Sequence, residues 1–319
     1  MKPVSVAIIA LVPASLAVAM AFGSVDLGAA RLADALIGRG DDIAREIVWG
    51  VRAPRAFAAF ACGALLALAG ALLQVLLRNP LADPYILGVS GGASVGALAA
   101  ILLGLSALGL HLSALAGAAL AAGSVFAFSL GRSGWNPYRV LLTGVALSSG
   151  FGAIVGLLLT LAPSSQVQGM LFWLLGDLSP AEDPTAALLV LAACATVAWS
   201  QSAALDVLLL GEDKARSLGV AVTRLQSISF GCATLATVAA VLLGGTIGFV
   251  GLVVPHLLRL SGIRAHRLLL PLAVCLGGSL LTLADTLART VAAPTELPVG
   301  VITALIGVPA LLFLLARSR

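Results

Sequence analysis

Charge is what this sequence has least of. Only 10% of its 319 residues are Asp, Glu, Lys or Arg, against about a quarter in soluble domains. So little charge leaves most of the surface facing lipid, and no nucleic-acid partner is expected. Lysine is scarcer still. Lys2 and Lys214 stand alone, and neither belongs to a GxxxxGK[ST] loop. The chain therefore cannot cradle ATP phosphates in that way, and any ATP-driven step needs a partner chain. The four cysteines, Cys62, Cys194, Cys232 and Cys275, each sit alone in an apolar run without a CxxC spacing. Neither a metal site nor a redox pair is indicated. No HExxH, no GxSxG and no paired carboxylates on one run occur, so no catalytic site is expected. No succession of Asp, Glu and His threads the apolar runs, as proton-coupled transporters usually need.

What the chain has is long apolar runs. It is 60% hydrophobic, with a mean hydropathy of +1.11. The runs are continuous, whereas a transmembrane barrel would show short alternating segments. At roughly 20 residues per span, they predict an all-α membrane protein of ten helices, forming one domain over 1–319. The spans are predicted at 4–22, 56–77, 85–104, 112–130, 138–162, 185–199, 227–243, 247–260, 268–287 and 298–316. Ala17-Val18-Ala19 resembles a cleavage site, but the apolar part before it is long for a signal peptide, so a retained span is expected. Residues 23–55 are polar and predict a folded surface loop, and a wet loop is expected around 164–183. The 35 glycines suit helices packed backbone to backbone. Gly88, Gly92 and Gly96 would form a smooth ridge, and Gly152 with Gly156 and Gly244 with Gly248 repeat the spacing.

Orientation follows Lys and Arg rather than net charge. Ten spans put both termini on one side, which receives 12 of the 18 basic residues. Both termini are therefore expected in the cytoplasm. The same side holds 206–226, where Asp206, Glu212, Asp213, Lys214, Arg216 and Arg224 interrupt the apolar pattern. Helix formers followed by Gly219 predict a short surface helix there, offered to a soluble partner. Asp285 and Arg289 are four apart and predict a neutralising pair on one helix face. Gln74 and His256 read as isolated polar groups in apolar surroundings.

Several blocks together are highly specific. Arg52-Ala53-Pro54-Arg55, Gly63-Ala64, Gly70 and Gln74 lead to Arg78-Asn79-Pro80-Leu81-Ala82-Asp83-Pro84 and Leu87-Gly88-Val89. Trp173-Leu174-Leu175-Gly176 follows, then Gly248-Phe249-Val250-Gly251-Leu252-Val253-Val254-Pro255-His256 with Arg259. Ala284-Asp285 with Arg289, and Glu296-Leu297-Pro298-Val299-Gly300 with Gly307 and Pro309, complete the set. In this order the chain resembles the permease subunits of iron–siderophore, haem and cobalamin ABC importers from about residue 50 onward. The first 50 residues match only in layout.

The resemblance implies a homodimer with a central translocation path, lined largely by the fifth and tenth spans. It implies two copies of a separate ATP-binding-cassette subunit, which carry the ATP and Mg, and a periplasmic substrate-binding protein. This chain would hold no cofactor and no metal of its own. Multi-pass placement in a bacterial inner membrane follows. Glu212, Asp213, Ala215, Arg216, Leu218 and Gly219 correspond to the segment that docks on the ATPase. Arg52, Arg55 and Arg289 correspond to residues that receive acidic groups of the binding protein. Asn79 and Leu81, with Pro137 and Tyr138, correspond to a cytoplasmic gate. The second pair departs from the small hydroxyl residues of cobalamin permeases. The expected function is uptake of a ferric siderophore, haem or cobalamin by alternating access. The alternative is a secondary transporter or channel that works without an ATPase.

Overall fold

In the computed structural model, residues 3–317 are described, except 40, 132, 133, 136 and 180–182. Apolar runs become helices because an unpaired peptide group in hydrocarbon is too costly to leave exposed. The helices are α1 (Pro3–Ala21), α2 (Ala29–Leu36), α3 (Asp42–Arg45), α4 (Ala53–Leu76), α5 (Val89–Leu102) and α6 (Ala107–Ser129). They continue with α7 (Pro137–Leu161), α8 (Ser164–Leu175), α9 (Thr185–Ser200), α10 (Ser202–Leu208) and α11 (Glu212–Ser217). The last four are α12 (Val222–Gly244), α13 (Val250–Leu260), α14 (His266–Thr290) and α15 (Val299–Arg317). A two-residue antiparallel pair, β1 (Leu130–Gly131) and β2 (Gly134–Trp135), joins α6 to α7.

The fold is an all-α membrane bundle. Among the described residues, α1, α4, α6, α7, α12 and α14 are long and apolar enough to cross a bilayer. The helices α9 and α10 do so as a pair bent by 60°, and α5, α13 and α15 are shorter apolar helices. These fall one to one on the ten predicted runs. The wet loop expected from 164 is different: its first part is the helix α8. Met170 is fully buried at its middle, while Leu171 and Leu175 of its apolar second half stay exposed.

The axis of the bundle is α4, buried without interruption from Ala61 to Leu77. A helix that is apolar all round belongs inside, and α12, α13 and α14 surround this one. Glycines set the distances. A Cβ on Gly63 would lie 2.3 Å from the Gly277 carbonyl oxygen, and one on Gly70 1.9 Å from that of Gly251. The predicted ridge is real at Gly92 and Gly96, which meet the backbone of α6 at Gly117 and Ser113. Gly88 is not part of it. It sits before α5 with φ 69°, a left-handed turn that a side chain would strain. A Cβ added at Gly152, Gly156 or Gly248 would meet nothing within 4 Å among the described residues, so none of the three marks a close helix approach.

Residues 23–55 fold as expected. Leu27, Ala35, Ala44 and Val48 form a small core under α2, α3 and the π-helical turn Glu46–Arg52.

Candidate functional site

Two polar ends cap the bundle. At one end the chain leaves α10 through the exposed Leu209 and Leu210, turns at Gly211 (φ 113°), forms α11 and turns again at Gly219 (φ 83°). Six residues are too few for a helix stable by itself, so tertiary contacts must hold it. Ala215 is fully buried beneath it. The Glu212 carboxylate accepts from Gln226 Nε2 at 3.1 Å and pairs with Arg78 at 3.3 Å and Arg216 at 3.4 Å. Asp206 accepts the backbone N–H of His266 at 3.0 Å and pairs with its ring, which caps α14 from the neighbouring segment. Of the residues predicted for partner docking, Asp213, Arg216, Leu218 and Gly219 face outward. Glu212 and Ala215 are anchors.

Arg78 belongs to the predicted gate loop. It lies just past α4 in a left-handed conformation (φ 47°). Asn79 Oδ1 accepts from Leu81 N at 2.9 Å, and Ala82 N donates to the Asn79 carbonyl at 3.1 Å. Gln74 Nε2 reaches the carbonyls of Ala82 at 3.4 Å and Leu252 at 3.2 Å, while its Oε1 accepts from Arg259. Gln74 is therefore the junction of α4, the loop and α13, not an isolated group. Asp83 accepts from Tyr85 N at 2.8 Å, and burial lifts its carboxyl above the usual range against that bond. Leu81 and Tyr138 are exposed. Pro137 begins α7, and its side chain lies outside the described residues.

The opposite end holds an ionic cluster. Arg55, on α4, meets Asp285 of α14 through Nη2 at 2.9 Å and Nε at 3.1 Å. Its Nη1 meets Glu296 at 2.7 Å. Ser24 donates to the other Glu296 oxygen at 2.9 Å, and Arg289 stands 3.7 Å from Asp285. Arg52 donates to the carbonyls of Met20 and Ala21 at 2.9 Å each. Burial raises the Glu296 carboxyl, but the Arg55 guanidinium outweighs it and holds the group below its ordinary value. Arg52, Arg55 and Arg289 are only 3%, 6% and 3% exposed. In the isolated chain none of the three presents its charge to solvent. A buried guanidinium needs acceptors: Arg55 has Asp285 and Glu296, Arg52 has backbone carbonyls, and Arg289 Nη2 donates to the Ala19 carbonyl. Among the described residues, the exposed charges of the 23–55 segment are Asp26, Arg31, Asp34, Arg39, Asp41, Asp42, Arg45 and Glu46. The i,i+4 pair of Asp285 and Arg289 was legible in sequence, but the stronger bond to Arg55 comes from a distant helix.

An all-helical bundle with a charged helix at one end and an arginine–carboxylate cluster at the other has known counterparts. The sequence profile of the FecCD transport family matches residues 9–317. The chain belongs to the FecCD transport family. It is 43% identical over 282 residues to the "Cobalamin import system permease protein BtuC" of Halobacterium salinarum, covering 87% of this chain and 75% of that one. It is 39% identical over 277 residues to the "Vitamin B12 import system permease protein BtuC" of Escherichia coli O9:H4, covering 85% and 84%. A metal-chelate type ABC transporter solved in an inward-facing conformation superposes with a TM-score of 0.88 at 29% identity, covering 99% of this chain and 100% of that one. The PsaBC complex of Streptococcus pneumoniae matches at a TM-score of 0.56 and 20% identity, covering 82% and 89%, a likeness of fold alone. As a FecCD protein the chain is a membrane permease of a transport system, and not an enzyme.

Proposed function

We propose that this FecCD protein is the permease subunit of an ATP-binding-cassette importer and that its cargo is a corrinoid of the cobalamin class. The observation that carries the reading is the short helix α11, held out from the bundle yet tied through Glu212 to Arg78 at the head of the 78–84 loop. Such a helix can pass a push from a soluble motor to the membrane part. The motor is a separate ATPase that binds ATP and Mg, since no phosphate-cradling loop exists in this chain. The cargo class rests on the names of the two relatives above, and the bulk of a corrinoid suits a path between two copies of the chain.

Sidedness follows the basic residues. The end with Arg78, α11, Arg259 and Arg264 faces the cytoplasm, together with both chain termini. The end with 23–55 and Glu296 faces the binding protein. Asp213, Arg216, Leu218 and Gly219 touch the ATPase, while Glu212 and Ala215 fix the helix. Asn79 and Leu81, with Pro137 and Tyr138 at the start of α7, close the cytoplasmic mouth. Arg52, Arg55 and Arg289 shape the outer docking surface from beneath, and the exposed charges of 26–46 meet the partner.

The test is reconstitution with the candidate ATPase and binding protein in proteoliposomes. ATP-dependent uptake of cyanocobalamin is expected. Uptake by this chain alone, driven by a proton gradient, would overturn the reading.

A further inference from the structure

A hollow of about 500 Å³ opens between α5, α7, α8 and the 245–249 turn. It differs from the apolar groove beside α15, which is lined by Val253, Leu257, Leu283, Leu287 and Ile306. Here the polar lining comes from Tyr85, Ser90, Ser94, Ser148 and Thr246, and no charged residue takes part.

The hydrogen-bonding sense of these groups is partly fixed. Ser94, buried at 3% exposure, donates to the Ser90 carbonyl at 2.8 Å. Thr246 donates to the Leu174 carbonyl. Each hydroxyl has one proton, so both oxygens are left as acceptors. Tyr85 is the reverse case. Its oxygen accepts the Ile247 N–H at 2.8 Å, which leaves its own proton to give. The wall thus offers at least two acceptors and one donor. A primary carboxamide carries the complement, two N–H donors and one carbonyl acceptor. A carboxylate does not: it has no proton to give, and no cation lines the hollow to offset its desolvation.

We propose that this hollow is a subsite for a neutral carboxamide arm of the cargo, set in the wall of the path beside α7. The proposal rests on the importer reading above and adds a selectivity that the permease itself exerts. One edge of an amide-bearing macrocycle fits a volume of this size. An acid-bearing chelate of similar bulk is disfavoured there, because its charge would be buried unpaired.

The experiment uses the complete reconstituted transporter. Uptake of cyanocobalamin is compared with that of its monocarboxylate, in which one peripheral amide has been hydrolysed. The binding protein is the same throughout, so differences among permease variants report the permease. The unaltered chain is expected to favour the amide form. Ser94→Ala and Ser148→Ala should each raise KM for cyanocobalamin by roughly 3- to 10-fold, the scale of one hydrogen bond, and narrow the preference. Ser148→Lys should shift the preference toward the monocarboxylate. Unchanged KM and unchanged preference in both alanine variants would overturn the subsite while leaving the importer reading intact. No ATP-dependent uptake by the unaltered chain would remove the importer reading, and the subsite with it.

Discussion

At the scale of single residues, the most consequential feature is the Arg55–Asp285 pair, with exposures of 8% and 1% for the two side chains. A buried pair adds little over an apolar pair of the same shape, but removing one partner strands a charge. Asp285→Ala is therefore expected to cost about 3–5 kcal/mol, read as a lower thermal midpoint in detergent. The double variant Arg55→Met with Asp285→Leu should recover most of that loss. If the double variant is as damaged as the single, the charge argument is wrong. Glu296 gives a pH dependence of known sign. Its folded carboxyl is held below its ordinary value, so its contribution exists above the unfolded value and is lost as pH falls through the folded one. The stability gap between the native chain and Glu296→Gln should accordingly close on acidification; a gap that widens would contradict the assignment. The i,i+4 geometry made Asp285 and Arg289 legible as neighbours. The bonds of Arg55 to Asp285 and of Gln74 to α13 were not legible, because those partners lie far along the chain.

At the scale of elements, α11 is defined by its anchors. The Arg78–Glu212 pair is partly exposed, with side chains 42% and 25% accessible, and such pairs contribute about 0–1 kcal/mol to stability. Its value lies in connecting α11 to the 78–84 loop. Glu212→Arg should leave the chain folded but lower ATP-coupled uptake several-fold, and adding Arg78→Glu should restore part of it. Equal uptake in all three proteins would dismiss the connection. Glycine positions make a second contrast. A methyl group at Gly70 meets the Gly251 backbone, whereas one at Gly152 meets nothing within 4 Å among the described residues. Gly70→Ala should abolish folded expression and Gly152→Ala should not, as monitored by size-exclusion chromatography. The short helix at 212–217 was legible because charge and helix formers coincide in an apolar chain. The helix α8 was not, because its polar first turn hides an apolar second half.

At the scale of the whole molecule, burial is uneven. α4 is almost wholly buried, whereas α7 is largely exposed. The exposed faces of α1, α6 and α7 are left for lipid and, in the proposed assembly, α7 for a second copy of the chain. Sedimentation in detergent should give the mass of two copies, and cysteines placed on α7 should cross-link between them. A monodisperse single copy in the assembled transporter would count against the paired path. The sequence alone determined the class, the ten runs and the place of the short charged helix. Those follow from the transfer of side chains and peptide groups between water and hydrocarbon, which each stretch undergoes independently of its neighbours. Only the tertiary structure decided that Arg55 closes on Asp285, that Gln74 joins α4 to α13, and that Glu212 reaches Arg78. These bonds join residues far apart in the chain. Their partners are set by how close the helices approach, and that approach depends on contacts such as Gly63 against Gly277 and Gly70 against Gly251.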